Sequence, residues 1–299
     1  MRKRGLQVLA LPLVALVSLA ALAIMPLGAS RASSSVMPQH SPHFFLQSGH
    51  FQPNAGSNLQ YGGGPVMGGT TNVYAIFWEP TGNVSSTYHT LIERYFNDVG
   101  GSGLYHNNTQ YTDSSGNLPS NAHLAGTWVD NTAYPESPVL DSDIQSEVSH
   151  AQSTNGWSSS IDNIFFVFTE AGQDICVDSS QSECASNAFC AYHNYFGTNT
   201  IYAVMPYAAS FNCNGGQGPN SDQAADETIN VTSHEQMEAA TDPLLNAWLD
   251  SSGQEIGDKC AWTFGTTNAD GSNVNWNGNP YLVQQEWDNA QSGCVLTGP

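Results

Sequence analysis

Basic residues are nearly missing from this chain: six Lys and Arg stand against 26 Asp and Glu in 299 residues. Four of the six, Arg2, Lys3, Arg4 and Arg31, lie in the first 32 positions. Removal of that leader would leave Arg94 and Lys259 with every acid, a net charge near −24. A surface so short of cations repels nucleic-acid phosphates and anionic bilayers, which excludes both as partners. The chain also lacks the Cys-x-x-Cys pair of a zinc ribbon, a Gly-x-Ser-x-Gly nucleophile elbow and any internal repeat; Gly100-Gly101-Ser102-Gly103 is out of register for the elbow. Its one long apolar run, from Leu6 to about Leu27, is interrupted by Pro12 and Pro26 and followed by Ala29-Ser30-Arg31-Ala32. Basic residues, an apolar stretch and then small residues make residues 1–32 a secretory signal peptide rather than a membrane anchor. The expectation is a secreted, extracellular protein with no membrane attachment after cleavage, and a monomer.

Six cysteines are present, and an exported chain favours pairing them. The shortest local loops join Cys176 to Cys184, Cys190 to Cys213 and Cys260 to Cys294. Residues 33–60 are rich in Ser, Pro, His, Gln and Gly without an apolar period, and read as a flexible arm or short pro-segment. His40, His43 and His50 fall there and are expected to be solvated. Residues 61–299 suffice for a single domain with a substantial core.

Within that domain, Asn72–Trp78 is an apolar run of strand length, and Ser86–Val99 places Tyr88, Leu91, Ile92, Tyr95, Phe96 and Val99 at helical spacing before Gly100-Gly101. The alternation recurs: Ala122–Val129 reads as a strand, Asp141–Gln152 as a helix, Asn163–Phe168 and Ile201–Tyr207 as strands. A helix from about Ser221 to Thr241 follows, with Ser221 or Asp222 as its cap. After Pro243 the chain is loop-rich. Helices alternating with strands predict an α/β (α+β) fold, a layered sheet with helices packed on it.

The chemistry is carried by His234-Glu235-Gln236-Met237-Glu238. On a helix, residues four apart share a face, so His234 and Glu238 can hold one ion while Glu235 stands beside them. This is the spacing of His-Glu-x-x-His metallopeptidases with glutamate replacing the second histidine, and zinc accepts either ligand. Bound zinc acidifies a water, and Glu235 would take its proton during attack on a polypeptide carbonyl and pass it to the leaving amine. The bland alternative is an exposed helix end with two solvating charges. A third ligand is required; Asp258 is preferred, since Asp242 falls about 80° around the helix and precedes Pro243, and Asp250 and Glu255 rank lower. So oxygen-rich a ligand set also suits calcium or manganese. His193, close to Cys190, is a candidate transition-state donor.

Tyr61-Gly62-Gly63-Gly64-Pro65-Val66, the Val73–Trp78 strand, Cys190-Ala191-Tyr192-His193, Tyr281-Leu282-Val283, Trp287-Asp288 and Cys294 resemble the phosphate-induced protein 1, or EXORDIUM-like, proteins. That resemblance implies an extracellular protein linked to growth responses, without an agreed biochemical activity. The segment Ser233–Pro243 looks like a microbial branch of the family, the plant members keeping a Thr-Asn-Pro ending without the His-Glu pair. The order of strands and helices is also similar to that of the zincin metallopeptidases, which implies a zincin-like fold with His234, Glu238 and a later acid at zinc and Glu235 at the water.

Overall fold

A computed structural model of the chain describes residues 41–48 and 57–299; the signal peptide read at 1–32 lies outside them. The six strands of the main sheet are β1 (His43–Leu46), β2 (Gly69–Trp78), β3 (Pro119–Asp130), β4 (Asn163–Thr169), β5 (Phe189–Phe196) and β6 (Thr200–Met205). They lie side by side in the order β1-β5-β6-β4-β2-β3. β3, β2, β4 and β6 are mutually parallel, whereas β5 runs antiparallel to both β6 and β1.

Period-two alternation divides the core between the two faces of this sheet. On β4, Ile164, Phe166 and Phe168 face the side on which α1 (Tyr88–Val99) packs through Tyr88, Ile92, Tyr95 and Phe96. Phe165 and Val167 face the other side, with Ile144 and Val148 of α2 (Asp141–Asn155). Every residue of β4 is buried, as a central parallel strand covered on both faces requires. The result is the expected mixed α/β architecture, with the three expected disulfides Cys176–Cys184, Cys190–Cys213 and Cys260–Cys294.

Within the stretch read as a flexible arm or short pro-segment, His43–Leu46 form β1. Phe44 stacks on Phe189 at 5.1 Å, and Phe45 turns to the opposite face and is fully buried. Covering a phenylalanine contributes about 1.5–3 kcal/mol, enough to hold a strand whose three apolar residues are too few to show a period in sequence. His43, expected to be solvated, lies opposite His193 in the register.

The third long helix, α3 (Gln223–Thr241), is capped by Asp222, whose carboxylate accepts from the Ala225 amide and from the Ser85 and Thr87 hydroxyls. Every residue from Ala225 to Thr241 is buried, because the helix is enclosed by α1, β5, β6, β1 and the C-terminal segment. Its polar side chains are internally partnered along the way: Thr232 donates to Thr228 O, and Tyr95 donates to Gln236. Paired short strands, Val274–Trp276 with Asn279–Tyr281 and Glu286–Asp288 with Gly293–Val295, order the segment read as loop-rich.

Candidate metal centre

His234, Glu235 and Glu238 project from the last two turns of α3, and each is wholly inaccessible to solvent. An exposed helix end with solvating charges is therefore not what this sequence forms. Asp258 enters from a short 3-10 turn, Asp258–Cys260, tied by Cys260 to the C-terminal strand. Its backbone amide donates to Glu238 Oε1 at 2.9 Å, and its carboxylate oxygen comes within 3.8 Å of His234 Nε2. His234 Nε2 in turn lies 3.1 Å from Glu238 Oε1. The ligand atoms of His234, Glu238 and Asp258 thus converge.

Asp242 is elsewhere engaged. One of its oxygens accepts from the Asn246 and Ala247 amides and turns the chain out of α3. Asp250 pairs with Lys259 at 3.1 Å. His193 on β5 joins the cluster, its Nδ1 3.4 Å from Glu235 Oε2 and 3.9 Å from Glu238 Oε2. Its other nitrogen, Nε2, is 3.2 Å from the Asp242 carbonyl, which can only accept, so Nε2 carries the proton of the neutral ring.

Five further residues complete the surroundings. Glu255 is fully buried against His43, 3.1 Å away, and Glu286 is fully buried close by. The Gln284 amide nitrogen donates to Gly257 O and lies against His234 Nδ1, each at 3.0 Å. Phe45 stacks on the His234 ring at a centroid distance of 3.9 Å. Of these, only Glu255 carries a readable signal, an acid shortly before Asp258. Glu286 and Gln284 come from a stretch without period, and His43 and Phe45 from a three-residue apolar run and its flank, too short to show one.

Burial opposes charge throughout the cluster. It pushes Glu235, Glu255 and Glu286 well above the ordinary carboxylate range, with neighbouring carboxylates adding to the effect. Burial and Glu238 raise Asp258 to about 7, and burial raises Asp242 to about 6. Glu238 is the exception: burial works against its charge, but His234 and His193 hold its carboxyl below the ordinary value. Burial likewise opposes a charge on His234, and Glu238 outweighs it to bring that imidazole up to about 9. On His193 burial prevails and lowers the pKa.

Five atoms in this cluster, His193 Nδ1, His234 Nε2, both oxygens of Glu235 and Glu238 Oε2, have no hydrogen-bond partner. Leaving a buried polar group unpaired costs about 1–3 kcal/mol, more when it is charged. Convergent orphaned N and O donors are the condition that a divalent cation relieves. A tetrahedral ion with bonds near 2.0–2.1 Å spaces its ligands about 3.4 Å apart, and the 3.1–3.9 Å separations here bracket that value. The donor set therefore fits zinc. For His234 to offer a lone pair at Nε2, its Nδ1 must carry the proton, and the Gln284 amide must turn its oxygen to Nδ1 and give up its bond to Gly257 O.

Gly257 leaves the room for this arrangement. A Cβ there would lie 2.7 Å from His234 Nδ1 and 3.0 Å from Glu238 Oε1, while its backbone, at φ −77°, suits any residue. Gly257→Ala is expected to weaken divalent-cation binding about 10- to 100-fold, in the range for losing a supporting contact at a metal ligand. Zinc titration of the purified variant checks this; wild-type affinity would show that the ring and carboxylate need not hold these positions.

Fold and site together define a disulfide-stapled mixed α/β protein built around a buried imidazole–carboxylate cluster. By sequence the chain is similar to Protein EXORDIUM-like 5 of Arabidopsis thaliana, 24% identical over 297 residues that span 81% of this chain and 78% of the relative. It is also similar to Protein EXORDIUM-like 3 of the same plant, 24% identical over 291 residues, 81% of this chain and 83% of the relative. Both support the EXORDIUM-like resemblance read from the sequence. No protein-family model and no solved structure matches the chain. The three disulfides are compatible with secretion, and among the described residues no helix is long and apolar enough to cross a membrane.

Proposed function

We propose that this chain is a secreted, metal-dependent peptidase of zincin type, on a microbial branch of the EXORDIUM-like proteins, with His234, Glu238 and Asp258 as zinc ligands. The supporting observation is the convergence of donor atoms of His234 and Glu238, solvent-excluded and with His234 Nε2 and Glu238 Oε2 orphaned, upon the partly exposed carboxylate of Asp258. Zinc, when bound, supplies the positive field that acidifies a water and polarises a substrate carbonyl. Glu235 stands beside the ligands with both oxygens unpartnered, free to accept a proton from the attacking water and return it to the departing amine. Burial favours its protonated form without a cation, so an ion nearby is what makes Glu235 a base.

A polypeptide substrate needs access, and β1 stands in the way. Phe45 covers the His234 ring, Trp262 stacks on Phe45 at 4.5 Å, and the Trp262 indole donates to Leu46 O. The proposal therefore includes latency: residues 33–60 act as a pro-segment whose strand seals the site. Phe45→Ala is expected to loosen the seal, lowering thermal stability but raising hydrolysis of an unfolded polypeptide in the presence of zinc. If the variant remains folded and its hydrolysis is unchanged, β1 is a permanent part of the domain and not a seal.

Burial of His193, His234, Glu235, Glu238 and Glu255, with Asp258 only partly exposed, favours a second reading, a non-enzymatic extracellular interaction protein with at most a structural calcium, manganese or zinc ion. Elemental analysis and hydrolysis assays on the full chain and on Phe45→Ala separate the two. Bound metal without activity in either form supports the structural ion, and no bound metal removes the peptidase and leaves the interaction protein.

A further inference from the structure

The cluster contains more ligand atoms than one ion uses. Three groups of His and carboxylate side chains, each compact enough to hold a cation, overlap: His234, Glu238 and Asp258; His193, Glu235 and Glu238; and His43, Glu255 and Asp258. The first two meet in Glu238, and they use different oxygens of it. Oε1 faces His234, at 3.1 Å, while Oε2 faces His193, at 3.9 Å, and has no hydrogen bond of its own.

His193 gives the second group a direction. Its Nε2 proton is committed to the Asp242 carbonyl, so Nδ1 presents a lone pair to Glu235 Oε2 and Glu238 Oε2. A lone pair aimed at two carboxylate oxygens in a fully buried space is repulsive unless a proton or a cation sits between them. A backbone carbonyl holding the remote nitrogen of an imidazole is also how ligating histidines are oriented. The 3.4 Å separation of Nδ1 from Glu235 Oε2 matches the roughly 3.4 Å ligand spacing of a tetrahedral ion.

Charge points the same way. Glu235, Glu238, Glu255 and Asp258 contribute four carboxylates to the overlapping groups. A second ion beside Glu235 supplies the counter-charge that its ionised form needs in this buried space.

We infer that the chain holds a second divalent cation, bound by His193 Nδ1, Glu235 and Glu238 Oε2, with Glu238 bridging it to the ion at His234 and Asp258. This rests on the metal-site reading above and changes the part played by two residues. His193 becomes a ligand rather than a transition-state donor. Glu235 gives one oxygen to the second ion and keeps the other for the water proton.

The test is stoichiometry on the full chain. Metal-depleted protein titrated with zinc is expected to bind two ions, and the isosteric Glu235→Gln and the truncated His193→Ala are each expected to bind one. His234→Ala removes the other ion and leaves one. Loading with Mn²⁺ supplies a readout that folding alone does not move: electron paramagnetic resonance of the wild type shows an exchange-broadened pair, and Glu235→Gln restores an isolated Mn²⁺ signal. One ion per wild-type chain, undiminished in Glu235→Gln and His193→Ala and lost in His234→Ala, overturns the second site and leaves the proposed peptidase intact. No ion in the wild type overturns both.

Discussion

Glu235→Gln is expected to lower peptide hydrolysis by on the order of 10²- to 10⁴-fold, the range lost with a positioned general base, while the chain remains folded and retains an ion at His234. Glutamine preserves the volume and one acceptor oxygen but cannot take a proton. In this site the substitution should not unfold the protein, since Glu235 makes no hydrogen bond that glutamine would forfeit. Its burial and raised pKa imply that the wild-type carboxyl is already neutral without metal, so the amide resembles the form the metal-free fold accommodates. The measurements are hydrolysis rate, zinc content and thermal midpoint on one preparation. Wild-type hydrolysis by a folded Glu235→Gln variant would end the enzymatic reading, whatever its metal content.

Chelation should have the second large effect, and its size should depend on pH. Asp258, raised to about 7, and Asp242, raised to about 6, both start from 3.8. A carboxyl whose folded pKa lies above its unfolded value binds its proton more tightly in the folded state. Its contribution to stability is fully present below pH 3.8 and is lost as pH rises through 6 and 7. These two carboxyls therefore favour the metal-free protein in acid and weaken it toward neutrality. Metal binding has the opposite slope, because ligands must be deprotonated to hold the ion. Removing the counter-charge from a buried ionic group costs about 3–5 kcal/mol, which for a domain of this size corresponds to a fall in Tm on the order of 10 °C. That fall is expected at pH 8 on adding a chelator, and little or none at pH 4. Equal chelator sensitivity at both values, or none at pH 8, would show that no ion is bound through these carboxylates.

The parts of this fold that were legible beforehand are those with a repeating pattern long enough to read. Tyr88, Ile92, Tyr95 and Phe96 recur at helical spacing, and β4 is a run of apolar residues bounded by polar ones. The start of α3 was readable from Asp222, because a helix leaves amides that a short acidic side chain can accept from. His234, Glu238 and Asp258 were named together because four-residue spacing fixes a helix face and a disulfide at Cys260 limits where Asp258 can go. β5 escaped: it lies between β1 and β6, and its polar members, His193 and Asn194, are buried at the end of the sheet that faces α3. Glu286 and Gln284 act across long stretches of chain, 50 positions from Gln284 to His234, and Phe45 from a three-residue apolar run, and no local pattern encodes either. The burial of α3 was hidden for a related reason. Its Thr, Ser, Asn and Gln residues look like a solvated surface until their partners on other elements are known.

The Cys260–Cys294 bond has a consequence in time as well as in space. Asp258 stands two residues before Cys260, on a turn whose place beside α3 depends on that link to the last strand. In the proposed site, a chain still in a reducing compartment would lack the link, leaving Asp258 untethered and its hold on an ion weak. Oxidation after export would complete the ligand set, making ion capture, and any activity that needs it, a late event in the life of the molecule. Zinc titration of the oxidised chain against the same chain in reductant measures this ordering: weaker binding in reductant is expected, and equal affinity would separate the disulfide from the site.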